Sequence, residues 1–177
     1  LREAGFKQPI LLLEGFFSTK ELDLFHQYQL TAVIHQSEQV AMLLSSQYRY
    51  LSLFLKINTG MNRLGLKPEQ FLYNIKKLQE HDYANNVTLM THFACADDSG
   101  QKQSVLEQLQ CFQACTQQYP YPMSLANSAA LVRYPKTHGD WVRPGILLYG
   151  ASPFADQTAD DLNLKSVMTL SSKIIAI

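Results

Sequence analysis

The sequence predicts an α/β fold built on a parallel sheet, and three observations carry that expectation. Apolar runs of strand length recur along the chain. They lack the alternation of a sheet with one wet face. Each is followed by a segment with apolar residues near i, i+3, i+4 and i+7. Strands that read as apolar on both faces must be covered on both, and a helix after each strand supplies that cover.

Taken in order, the first strand is "PILLL", Pro9 to Leu13. It leads to the helical "STKELDLFHQYQ", in which Ser18 followed by Glu21 reads as a capping box. "LTAVIH", Leu30 to His35, is the second strand and "SEQVAMLLSS" its helix. "LSLFLKI", Leu51 to Ile57, runs through a polar loop into "KPEQFLYNIKKLQEH", where Pro68 suits a first helical turn. "VTLMTHF", Val87 to Phe93, ends on His92 and precedes "QKQSVLEQLQCFQACTQQY". "MSLAN", Met123 to Asn127, opens a helical turn of small residues, and "DWVR", Asp140 to Arg143, closes the series. Such a run fits a doubly wound sheet or most of an eight-stranded barrel, and periodicity does not separate the two. The barrel is favoured by the polar residues, which gather after one strand after another as if around a single mouth.

The ends differ from the middle. "LREAGFKQ" reads as the tail of a helix, and there is no initiating Met. "LKSVMTLSSKIIAI" alternates like a half-exposed strand with no helix after it. The expectation is an interior piece of a longer chain.

At 177 residues, with 46% hydrophobic and 17% charged residues, the composition is that of a soluble one-domain protein with a real core. Lys+Arg and Asp+Glu balance at 15 each, so no basic field invites nucleic acid. The apolar runs stop short of the roughly 20 residues of a membrane span, and no secretory leader opens the chain; a cytoplasmic address fits. Cys95, Cys111 and Cys115 make an odd count and read as reduced, semi-buried thiols. Cys111 and Cys115 share a helix face, but without a partner cluster no metal site is expected.

Chemistry concentrates in "LKINTGMNRLG", Leu55 to Gly65. In a β/α barrel the loops after the strands build the site, so this loop should deliver Lys56 and Arg63 to the mouth, with Gly60 and Gly65 permitting turns that a Cβ would forbid. It resembles the signature loop of bacterial alanine racemases. "LREAG…PILLLEGF", "THFACAD", "SLANSAA" and "DWVRPGILLYG" resemble successive segments of that family in the same order, over nearly the whole chain. The resemblance implies a partial TIM (β/α)8 barrel, about strands three to eight, over residues 1–152. Residues 153–177 would be a linker and the first strand of a C-terminal β domain.

The same resemblance implies pyridoxal 5′-phosphate as cofactor and gives each candidate a role. Arg63 resembles the arginine that reaches the cofactor's phenolic oxygen and the substrate carboxylate, acceptors that suit a planar, permanently charged guanidinium. Lys56 resembles a lysine that relatives often carry as a carbamate; read from the residues alone, it caps a strand end and pairs with a neighbouring acid. Asn58 stands where many relatives have Asp. His92 would hold the plane of the cofactor ring, against the plainer reading of a hydrogen-bonded core histidine. Asn127 and Ser128 would meet the phosphate, where the plainer reading is a helix N-cap. Gly145 and Ile146 resemble the family's backbone phosphate clamp. Arg143 would face the pyridine nitrogen, which an arginine can only donate to; failing the barrel, it is a surface residue before Pro144. His35 and His138 are read as structural.

Inverting a stereocentre by proton transfer needs an acid/base group on each face of a planar intermediate. The family's lysine and tyrosine have no counterpart here, so no catalytic residue is assigned and the segment alone is expected to be inactive. The parent protein would interconvert L- and D-alanine for peptidoglycan, as a homodimer. A serine or broad-specificity racemase and a non-catalytic cofactor-binding module remain open alternatives.

Overall fold

The computed structural model describes residues 1–81 and 83–176. Six strands form one sheet: β1 (Ile10–Leu12), β2 (Leu30–Ile34), β3 (Leu53–Lys56), β4 (Val87–Met90), β5 (Met123–Asn127) and β6 (Trp141–Arg143). Each pairs in parallel with the next in sequence. A doubly wound sheet reverses its strand order at a switch point. This order never reverses, which leaves the singly wound barrel.

Curvature follows from one side-chain contact. Phe54 on β3 and Trp141 on β6 meet edge to face with ring centroids 6.3 Å apart. In a flat sheet those strands would stand about 14 Å apart, three spacings of ~4.8 Å. The sheet therefore curls, and both rings lie on its concave inner face. Residue alternation does the rest. Leu53, Leu55 and Ile57 are fully buried in the core cluster under the helices, while Phe54 and Lys56 take the other face.

The helices cover the convex side: α1 (Glu21–Gln27), α2 (Ser37–Ser45), α3 (Pro68–Glu80), α4 (Lys102–Thr116) and α5 (Ser128–Arg133). α3 shows why these segments are helical. It starts on Pro68, and Phe71, Asn74, Ile75 and Leu78 repeat at helical spacing and are the ones buried. Ahead of α1 the expected capping box is displaced. The helix begins at Glu21 itself, whose carboxylate reaches back to the Phe17 N–H at 2.9 Å and the Ser18 hydroxyl at 3.3 Å. Leu1 to Phe6 closes with Phe6 N–H on Leu1 O and Gly5 N–H on Arg2 O, with Gly5 at φ 85, the bond pattern with which helices terminate.

Three expectations are corrected. β4 stops at Met90, so His92 belongs to the loop beyond the strand. Residues 164–176 carry no strand despite their alternation, and Leu170 and Ile175 are 99% and 98% exposed. Alternation marks a strand only where an edge is free to pair with it, and no such pairing forms here. Cys95 is exposed, whereas Cys111 is half-buried and Cys115 buried, its thiol pushed up to about 11 chiefly by burial. None of the described helices is long and apolar enough to cross a membrane.

Candidate functional site

The polar residues that the strands deliver meet at the C-terminal ends of β4, β5 and β6. His92, Asn127, Ser128, Arg143, Gly145 and Ile146 line a pocket of about 360 Å³, joined by Asp97, Ala129 and Pro153. Two larger cavities, about 680 and 590 Å³, open at the other end of the strands. The first is walled by groups such as Pro9, Phe54 and Trp141. In the second, Arg49 gives its guanidinium to the Ser46 and Tyr48 carbonyls. Neither includes the residues that the strands deliver at their C-terminal ends, where a barrel places its chemistry, so the smaller pocket is the candidate site.

Arg143 is its fixed point. Nη1 donates to Ser124 Oγ at 2.5 Å, and Nη2 donates to Thr91 O at 2.6 Å and Leu125 O at 3.1 Å. Burial pulls its pKa down to about 10, which still leaves it charged at neutral pH. The charge is balanced by oriented dipoles and by no carboxylate among the described residues. Thr91 also ties the site to the loop after β3. Its hydroxyl donates to Ile57 O at 3.0 Å and shares a 2.8 Å hydrogen bond with Thr59 Oγ1.

Asn127 caps α5 by accepting from Ala130 N–H at 2.9 Å, and its amide donates to Phe93 O at 3.2 Å while standing 3.5 Å from His92 Nε2. The N-cap reading thus holds for Asn127. Ser128 Oγ has no protein partner among the described residues and lines the pocket. At Gly145 an added Cβ would meet only Ser128 Oγ, at 4.0 Å, so the glycine keeps open the space that the hydroxyl faces. The pKa of His92 is lowered to about 4 by desolvation first, then by the charges of Arg143, Lys56 and Arg63. Its ring is neutral at physiological pH.

Lys56 is 6% exposed, and its pKa is brought down to about 8 by desolvation, then by Arg63 and Arg143. The alternative of a neighbouring acid is not met: the described ion pairs are Lys76–Glu80 and Arg133–Asp156. Arg63 is exposed and does not line the pocket, although both Lys56 and His92 feel its charge. Gly60 and Gly65 sit at φ 146 and φ 139, and Asn58 organises the turn between them. Its Oδ1 accepts from the Gly60 and Asn62 N–H groups at 3.1 and 3.0 Å, and its amide donates to Asn62 Oδ1 at 3.0 Å.

Sequence reasoning missed Ser124 and Thr91 as the groups that hold Arg143. The register carried a signal for Ser124, which pairs with Met90 on the lumen side of β5, four residues before Ser128. Pro153 comes from a segment without periodicity and gave none. A pocket of this size lies at the small end for ligand sites. A guanidinium, a neutral imidazole, a free hydroxyl and an open glycine suit a small phosphorylated aromatic; Asp97 at the rim is the one carboxylate in the lining. No lysine is among the lining residues.

Residues 1–153 match the family model described as alanine racemase, N-terminal domain. The chain is 52% identical over 180 residues to the alanine racemase of Nitrosomonas eutropha and 51% identical over 178 residues to that of Nitrosospira multiformis, in each case covering 100% of this chain and 50% of the relative. The alanine racemase structure from Acinetobacter baumannii superposes with a TM-score of 0.88 at 40% identity, covering 99% of this chain and 49% of that one. The one from Pseudomonas aeruginosa gives 0.86 at 38%, covering 93% and 46%. The chain spans about half the length of the relatives it matches. By the match over residues 1–153 and by this identity across its whole length, the chain belongs to the alanine racemase family.

Proposed function

We propose that this chain is the cofactor-holding part of an enzyme that interconverts L- and D-alanine with pyridoxal 5′-phosphate, supplying D-alanine for peptidoglycan. The observation that carries the reading is the convergence of Arg143, neutral His92 and the free Ser128 hydroxyl on one small pocket in a chain of this family. Bound there, the cofactor supplies an electron sink for the pair left when the substrate Cα loses its proton.

The chain's own residues bind and orient. Ser128 Oγ and the Ile146 N–H would donate to the phosphate, and Gly145 would leave room for it. His92, neutral and at the pocket wall, would lie against the ring and keep its plane. Arg143 is held in place by three acceptors and can itself only donate, so a ring nitrogen placed against it would stay unprotonated, which would limit how strongly charge is drawn away. Arg63, carried by the exposed loop after β3, would receive the substrate carboxylate and the phenolic oxygen. The proton-transferring lysine and tyrosine of the family have no counterpart in this chain, so it inverts nothing alone. The same reading implies a cytoplasmic homodimer, which light scattering of the complete protein tests.

Lys56 is the group best placed to change its charge. A buried amine with a pKa near 8 beside arginines is part neutral, and its nitrogen can bond to CO₂ carbon, releasing a proton and leaving a carbamate. That anion would face Arg63 and remove the repulsion among the cations. Incubation with ¹³C-bicarbonate is expected to give a carbamate carbon resonance that Lys56→Met abolishes; a wild-type spectrum without it would refute the modification.

The function is tested by giving L-alanine and pyridoxal phosphate to the complete protein and to residues 1–177 separately. D-alanine is expected from the complete protein and none from the segment. Product from the segment would overturn the division of labour, and none from the complete protein would overturn the racemase reading.

A further inference from the structure

We propose that Arg133 is a positioning residue for the phosphate end of the pocket, acting by clamping together the three segments that form its outer rim. The inference rests on the cofactor reading above and adds a residue that neither touches the pocket nor belongs to the signature motifs.

Arg133 is the last residue of α5, the helix that Ser128 begins, and its side chain is 17% exposed. Nη1 donates to Asp97 O at 2.8 Å, in the loop after β4. Nη2 donates to the Asp156 carboxylate, and the guanidinium carbon lies 3.7 Å from the centroid of the Phe154 ring, both in the segment that leaves the barrel. Each segment held in this way puts a residue into the pocket lining: Asp97 itself, Ser128 from the same helix, and Pro153 next to Phe154.

The clamp needs an arginine. A planar fork can give two N–H groups to acceptors on different segments while its face lies on an aromatic ring. A lysine offers one ammonium and no plane. Nothing else does this work: among the described residues, Arg133 makes the side-chain hydrogen bond that ties residues 152–157 to the rest of the chain, the other one in that stretch being local, Phe154 N–H to Ser152 Oγ at 3.1 Å. Phe154 is only 7% exposed, which marks the segment as docked. Losing the guanidinium would unseat Pro153 and release the Asp97 main-chain carbonyl, so that the loop after β4 could shift at the phosphate end and bring the Asp97 carboxylate closer to a phosphate dianion. Both changes act on the phosphate and leave the ring contacts of His92 and Arg143 in place.

The test compares two ligands that differ only in the phosphate. Apo complete protein is titrated by absorbance with pyridoxal phosphate and, separately, with pyridoxal. Arg133→Met is expected to weaken pyridoxal phosphate about tenfold, the scale of one hydrogen bond to a charged group, and to leave pyridoxal unchanged. Arg133→Lys should fall between. Phe154→Leu, which keeps the charge pair and removes only the ring, should show a smaller loss of the same kind and decides the matter if Arg133→Met does not fold. Equal weakening of both ligands, or of neither, overturns the clamp. Wild-type protein that binds pyridoxal as tightly as pyridoxal phosphate overturns the phosphate pocket itself, and the clamp with it.

Discussion

Gly65→Ala is expected to lower the stability of the fold by about 3 kcal/mol and to raise KM for alanine in the complete protein. At φ 139 an added Cβ would lie 2.7 Å from Asn58 N, 3.0 Å from Ile57 C and 3.1 Å from Asn58 Cα, all backbone. Backbone cannot step aside as a flexible side chain can, and both the strained dihedral and the overpacking cost about 1–3 kcal/mol each. The clash falls where the loop is closed: Asn58 N–H donates to Leu66 O at 2.8 Å and Leu66 N–H to Lys56 O at 2.9 Å. Spreading that closure moves Arg63, which the loop carries between its pinned ends. Gly60→Ala is a useful contrast: at φ 146 it carries the same dihedral strain, but its new Cβ would meet side-chain atoms of Gln108, the nearest at 3.0 Å, and no backbone, so a smaller loss is expected. Urea midpoints of the two variants measure the difference. A Gly65→Ala protein as stable as wild type would show that the loop closure is not what limits substitution here.

Much of this was legible because barrel geometry converts period into place. Once the strands are located, alternation puts Phe54 and Lys56 on the inner face, and the residues after each strand fall at one end. The polar residues favoured the barrel over the doubly wound sheet, but periodicity could not separate the two without strand order, which no local pattern contains. Asn58 illustrates a half-read signal. Its difference from an aspartate was visible as a lost charge, but its use is the amide's double character, accepting from two N–H groups while donating to Asn62. An aspartate could make the first set and not the second. Arg133 and Pro153 were invisible for another reason: the arginine's partners lie 36 and 23 residues away, in segments with no period to place them. The alternating tail misled because a pattern fit for a strand needs a partner strand to become one.

Arg143→Met is expected to cost about 3 kcal/mol at pH 7.5 and visibly less at pH 5. The first figure follows from what the side chain leaves behind. Ser124 Oγ, Thr91 O and Leu125 O lose their common donor, at about 1–3 kcal/mol for each group left wholly unpaired, with water entering from the pocket to offset part of the loss. The pH dependence follows from His92. After desolvation, the charge of Arg143 is the largest cause of its pKa of about 4, against 6.5 for a free imidazole. Between those values the unfolded chain binds a proton that the native site refuses, so wild-type stability falls as pH drops from 6.5 to 4, by at most about 3 kcal/mol. Without Arg143 the His92 pKa rises, the window narrows, and acidification costs the variant less than it costs wild type. The two urea midpoints should therefore approach each other from pH 7.5 to pH 5, and the His92 ring resonances should titrate at higher pH in the variant. A gap between the midpoints that stays constant with pH would mean that the guanidinium and the imidazole do not share the pocket.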